Sequence, residues 1–235
     1  MERANAPGTG LGAPIALTFD TAGSACSVAL GRDDAVLAQE RREMRHGHAE
    51  ALLPMIDRVV EAAGLTPAAI DIVAVSVGPG GFTGIRAGLA AAHGLALAAN
   101  ARLFGVTSFA AVAALLPTSD VQLLVALDSR RADLYVQLFD AAGDACGEPA
   151  AIAPERLKPW LGNGAVRIAG DAAPEAAAAL VRCAGIEIVP NSAPDALGVL
   201  AAVRRWPALA DPAARPLYLR APDVSFPKAR AGSAR

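Results

Sequence analysis

An apolar run that ends in an acidic residue and a hydroxyl occurs twice in this chain, and each time a second apolar run follows. Residues 15–19 lead into Asp20-Thr21, and residues 121–127 lead into Asp128-Ser129. Asp20 and Asp128 are 108 positions apart (128 − 20), and the pairs Thr21/Ser129, Val28/Val136 and Leu30/Leu138 keep that offset. A repeat at close to half of 235 residues predicts a duplicated lobe, each copy opening on a hairpin.

The rest of the first half fixes the kind of lobe. Residues 26–30 and 35–41 read as strands around the turn Gly31-Arg32-Asp33-Asp34, completing a meander. Residues 49–63 carry Leu52, Leu53, Ile56, Val59, Val60 and Ala63 at helical spacing, with Pro54 inside and Gly64 as the stop. Residues 71–77 are a β-branched, central strand; a glycine-rich loop over 78–81 leads into a helix over 83–100 capped by Thr83. A strand over 103–106 and a helix over 108–116 complete a β-β-β-α-β-α-β-α order, a mixed sheet covered by helices. The second half restarts with strands at 121–127 and 134–139, then weaker segments at 154–161, 166–169, 173–184, 186–189 and 194–206. We divide the chain into an extension at 1–13, a first lobe at 14–107, a reduced second lobe at 108–225 and a tail at 226–235.

Composition limits function. With 54% hydrophobic and 19% charged residues the chain is not disordered overall. Its most apolar window, residues 84–100, contains Arg86 and His93, and no membrane span is expected. The net charge of −2 argues against a protein that holds nucleic acid on its own. Cys26, Cys146 and Cys183 are widely spaced without a C-x-x-C, as expected of reduced cytoplasmic thiols.

Three constellations can carry chemistry. Asp20-Thr21 and Asp128-Ser129, facing each other with Gly80, suit a nucleotide with Mg²⁺: turn amides and hydroxyls meet phosphate, and the carboxylates hold metal water. The same residues also cap turns in purely structural roles. The loop from Gly78 to Arg86 places glycines before a helix N-terminus, where an anion or simply a tight connection fits; it lacks the Lys-[Ser/Thr] of a P-loop. In the following helix Gly84, Gly88 and Ala92 stand four apart beside Ala87 and Ala91, a pattern that needs a close neighbour, within the chain or from a partner. His46, His48 and Glu50 alternate, but no third His or Cys supports a metal. No nucleophile elbow is present.

Asp20-Thr-Ala…Ala-Cys-Ser-Val-Ala-Leu30, His48-Ala-Glu-Ala-Leu-Leu-Pro-Met-Ile-Asp57 and Gly78-Pro-Gly-Gly-Phe-Thr-Gly-Ile-Arg-Ala-Gly88 resemble the bacterial TsaB (YeaZ) family. Gly105-Val-Thr-Ser108, Ala126-Leu-Asp-Ser-Arg130 and Pro216-Leu-Tyr-Leu-Arg220 continue the resemblance in order. It implies a two-lobed α/β fold of the actin/Hsp70/sugar-kinase (ribonuclease H-like) type. It also implies a part in forming threonylcarbamoyladenosine (t6A) at position 37 of tRNAs reading ANN codons, beside a catalytic paralogue, TsaD, and an ATPase, TsaE. TsaD-like chains carry His-x-x-x-His where Ser108 and Val112 stand here, so the resemblance implies a non-catalytic, cytoplasmic scaffold without metal or tightly bound cofactor, meeting tRNA only through the complex. Its partner contact falls on Leu52, Leu53, Ile56, Gly84, Gly88, Ala91 and Leu95, with self-pairing when isolated; Gly88→Leu is expected to abolish pairing and leave the monomer folded. The alternative is an ATPase or phosphotransferase using Asp20, Thr21 and Asp128.

Overall fold

A computed structural model describes residues 13–220 apart from 162–163, 182, 184, 191 and 208–210. The tail at 226–235 and all but the last residue of the extension at 1–13 lie outside the described residues.

Five strands form the first sheet: β1 (Ile15–Asp20), β2 (Ala25–Arg32), β3 (Ala35–Glu43), β4 (Ile72–Ser76) and β5 (Arg102–Val106), in the order β3-β2-β1-β4-β5. The meander is antiparallel, while β4 and β5 run parallel to β1. The second sheet holds β6 (Gln122–Asp128), β7 (Leu134–Phe139), β8 (Ala145–Ile152), β9 (Val166–Ala169) and β10 (Ile186–Ile188) in the order β8-β7-β6-β9-β10. Both sheets have the same order and the same pairing senses, so the chain is the two-lobed, duplicated α/β fold expected.

The repeat holds less tightly than its residue spacing suggests. Asp20 pairs with Ser27, whereas Asp128 pairs with Leu134, so the second turn is one residue shorter. The offset is 108 along the first strand and 107 along the second. Val28/Val136 and Leu30/Leu138 are therefore not equivalent positions.

Period-two alternation sorts the first sheet's side chains between two helical layers. Leu17, Phe19, Val73 and Val75 face α1 (His48–Ala62) and α2 (Phe82–Ala99). Ala16, Ile72 and Ala74 face the opposite side, packing against α3 (Ser108–Ala114) and α6 (Ala196–Arg205). Helix α1 buries Leu52, Met55, Ile56, Val59 and Val60. It ends as a Schellman motif: Gly64 has φ +65, its amide reaches the Glu61 carbonyl, and the Leu65 amide reaches that of Val60. Edge strand β3 is largely exposed and bears Glu40, Arg41, Arg42 and Glu43, charges that guard a sheet edge.

In the second lobe, α4 (Leu157–Leu161) and α5 (Ala173–Ala179) cover one face around Leu124, Leu134, Val136 and Ile168. The other face packs on Phe109 and Val112 of α3, which thus lies between the sheets. Helix α6 arrives late in the chain yet packs on the first sheet. The Thr18 hydroxyl donates to the Ala196 carbonyl at 2.8 Å, and the Ala196 amide donates to Ser27 Oγ at 2.9 Å.

Candidate functional site

The two hairpin turns face each other across a cleft of about 260 Å³ whose walls include Gly23, Gly80, Asp128, Ser129, Arg130 and Asp171. Asp128 and Ser129 line this cleft, whereas Asp20 and Thr21 are not among its walls. Their polar atoms are arranged otherwise. Asp20 lies beneath the cleft floor, 1% exposed. Burial, above all, raises its carboxyl to about 6; the Ser76 hydroxyl and the amides of Ala22 and Gly23 pull it down, and Asp195 pushes it slightly up. Ser76, although near enough to act on it, falls outside hydrogen-bond geometry, and Asp20 Oδ2, Ser76 Oγ and Ser108 Oγ are all buried without a partner.

The hydroxyls are spent inside the chain. Thr21 Oγ1 donates to the Gly84 carbonyl at 2.8 Å. Ser129 Oγ bonds Asp133 at its carboxylate, 2.7 Å away, and at its carbonyl. Gly80 is needed because a Cβ there would strike the Ala22 backbone. Asp128 is exposed; its carboxylate accepts from the Arg130 amide at 2.6 Å, and its own amide donates to Asp171 at 2.9 Å. Two carboxylates therefore line the cleft, and Asp171 is held above its usual range mainly by burial. Arg130 donates from Nη2 to the Gly23 carbonyl at 3.2 Å, joining the two turns.

The small-residue stripe of α2 is explained by the same turn. A Cβ on Gly84 would stand on the Thr21 carbonyl, and one on Gly88 would lie 2.5 Å from Thr21 Oγ1 and 3.3 Å from Val75. These glycines admit the β1–β2 turn, so they are not a contact for another protein's helix. Leu52 and Ile56, at 1% and 3% exposure, face the core as well. Ala91 and Leu95 are half-buried against the same core; among the seven expected contact residues Leu53 alone is well exposed. Helix α2 starts one residue earlier than expected, with Gly81 rather than Thr83 at its N-cap.

The opposite face of α2 is open. Leu97 is 85% exposed, and beyond the helix itself no atom of the described residues lies within 4 Å of where a Gly94 Cβ would be. Ala90, Gly94 and Ala98 repeat at four-residue spacing along this exposed face. At its start Arg86 lies 3.7 Å over the Phe82 ring, and its Nε donates to Tyr218 Oη at 3.2 Å. By length and hydropathy α2 could cross a bilayer, yet its buried flank packs on β4 and β5. Sequence reasoning missed this face because two small-residue stripes run along one helix, and choosing the inner one requires knowing where the Thr21 carbonyl lies.

His46, His48 and Glu50 line one cavity, but they do so with Arg45 and Arg130, a cationic neighbourhood rather than a metal's donor set. His48 is held below its usual range, first by burial and then by Arg130.

Comparison with known proteins gives the following. Residues 39–184 match the family described as TsaD, tRNA N6-adenosine threonylcarbamoyltransferase. The tRNA threonylcarbamoyladenosine biosynthesis protein TsaB of Escherichia coli (strain K12) is 36% identical over 121 residues, 51% of this chain and 52% of that protein, about half its length. An uncharacterized protein of Mycobacterium tuberculosis (strain H37Rv) is 35% identical over 210 residues, covering 88% of this chain and 92% of its own. YeaZ from Pseudomonas aeruginosa superposes with a TM-score of 0.73 at 26% identity, over 88% of this chain and 100% of that one.

Proposed function

We propose that this chain, which belongs to the TsaB (YeaZ) family, acts in t6A formation on tRNA as a non-catalytic docking subunit. Its partners are a TsaD-like transferase and a TsaE-like ATPase, and it meets tRNA through that complex. The observation that carries this reading is the outer face of α2. Only 33% of this 18-residue apolar helix is buried, and a helix so hydrophobic needs cover on its remaining sides. Gly94 lets another backbone come close, at a cost of about 1 kcal/mol in helix propensity that nothing among the described residues repays. Leu97 on this helix and Leu53 on α1 supply exposed apolar side chains. A standard interface of about 1,600 Å² would cover this face.

The catalytic role fits less well. Ser108 and Val112, where TsaD-like chains carry metal-binding histidines, are each 1% exposed in the core between the lobes. An ATPase or phosphotransferase using Asp20, Thr21 and Asp128 would need hydroxyls and carboxylates that are instead buried or hydrogen-bonded within the chain. A second copy is the natural cover for the α2 face when the partner is missing.

Reconstitution tests the proposal. With TsaD-like and TsaE-like subunits, threonylcarbamoyl-adenylate, ATP and tRNA, t6A measured by mass spectrometry should appear only when this chain is present. Transfer by this chain alone, or equal t6A without it, would refute the reading.

A further inference from the structure

A pocket of about 180 Å³ lies where the second lobe's β7–β8 hairpin meets α3 and α6. Ala110 of α3, with Ala202 and Trp206 of α6 and its C-cap, forms one side, and Gln137 and Phe139 of β7 form the other. Helices α3 and α6 cover the face of the first sheet opposite α1 and α2, so this pocket is remote from the docking face.

Gln137 is out of place in its layer. On the same side of β7 stand Tyr135 and Phe139, and the cross-strand partners of these three residues on β6 are Leu127, Val125 and Leu123. The β7–β8 register shifts between Val136 and Leu138, so β8 sets no residue opposite Gln137. Gln137 is only 8% exposed, and its side chain makes no hydrogen bond with a described residue. Unlike Asp20 Oδ2 or Ser76 Oγ, its amide is not sealed off, because it lines the pocket. Burying an amide without a partner is costly, and a group bound in the pocket would supply one.

The remaining wall is apolar and held in place. Arg205 donates from Nη1 to the Leu116 carbonyl at 3.3 Å and from Nη2 to the Ala142 carbonyl at 2.9 Å, and its guanidinium lies 4.6 Å over the Trp206 ring. The indole is thereby fixed from behind. Thr107 also lines the pocket, but its Oγ1 caps α3, accepting from the Ala110 amide at 3.1 Å. Among the described residues the wall contains no charged side chain.

We infer that this pocket binds a neutral aromatic ring whose edge carries a hydrogen-bond donor beside an acceptor, as a purine base or a ring carboxamide does. Trp206 and Phe139 suit a flat apolar face. The Gln137 amide offers a carbonyl and an N–H side by side, the pair with which glutamine reads adenine elsewhere. Size restricts the ligand to one ring or two fused rings: a dry apolar cavity of about 150 Å³ already holds benzene, whereas drug-sized ligands occupy about 300 Å³ or more. An ionised group would lose its hydration here without compensation.

Titration calorimetry of the full chain with adenine, nicotinamide and toluene tests this. Adenine or nicotinamide should bind saturably and about tenfold more weakly to Gln137→Met; toluene, which has no polar edge, should bind more weakly and be indifferent to that change. Because methionine suits an apolar layer, Gln137→Met should melt no lower than the wild type. Ala145 is exposed on β8 and lines the pocket, so Ala145→Phe should fill it and abolish binding with the melting temperature unchanged. Tighter adenine binding identifies a fused bicycle, and tighter nicotinamide binding a single ring with a carboxamide. Absence of saturable binding to both, binding insensitive to Gln137→Met or to Ala145→Phe, toluene binding as tightly as the other two, or a clear loss of melting temperature in Gln137→Met would each overturn the inference.

Discussion

The Thr21 hydroxyl donates to the carbonyl of Gly84 at 2.8 Å, fastening the first hairpin turn onto the opening turn of α2. A side chain that could have met phosphate is committed to packing instead. Two glycines that could have met a partner are committed with it. The same contact turns the other face of α2 outward, where Leu97 is 85% exposed and a Cβ on Gly94 would meet no described atom beyond the helix itself.

Alanine scanning of two glycines on this one helix should therefore give opposite signs. Gly84→Ala puts a methyl onto the Thr21 carbonyl and is expected to cost about 3 kcal/mol. Gly94→Ala meets open space and should stabilise the chain by about 1 kcal/mol through helix propensity. Denaturant unfolding of the two variants checks both. Gly88→Leu should not spare the monomer either, since a Cβ there already meets Thr21 Oγ1 at 2.5 Å.

Asp20 makes the fold sensitive to pH in a stated direction. Its carboxyl is raised from 3.8 to about 6, so ionisation is easier in the unfolded chain. Its contribution to stability is full below 3.8, is lost as pH rises toward about 6, and is absent above that. The loss is on the order of 3 kcal/mol. Asp20→Asn should remove this slope and be more stable than the wild type at pH 7.5. Equal wild-type and variant stabilities across the window would show that the carboxylate is not desolvated.

The thiols should separate cleanly under alkylation. Cys26 is 0% exposed, and its thiol is pushed up to about 11, chiefly by burial and then by Asp20 and Glu40. Cys146 is exposed on β8. Mass spectrometry after native iodoacetamide treatment should find Cys146 labelled and Cys26 unlabelled until the chain is unfolded.

Much of the architecture was legible because period-two and helical patterns persist wherever burial is one-sided, as in α1 and β4. Strand β8 was not: Gly147 and Pro149 break any strand pattern, and an edge position with an irregular register tolerates both. Nor was the fate of the Asp-hydroxyl pairs legible, since Thr21 and Ser129 read identically whether they hold phosphate or bond Gly84 and Asp133. The cavity beside α1 was hidden for a different reason. It joins Arg45 and His46 of one lobe to Arg130 of the other, 84 positions on from His46 (130 − 46), and nothing in their spacing connects them.

The docking role of α2 is tested most directly by size-exclusion chromatography of this chain mixed with its TsaD-like partner, comparing wild type with Leu97→Glu. Leu97 is 85% exposed, so the substitution should change the stability of the isolated chain by no more than about 0.5 kcal/mol. A stable heterodimer is expected for the wild type and separate peaks for Leu97→Glu. A heterodimer that forms equally well with glutamate at that position would contradict it.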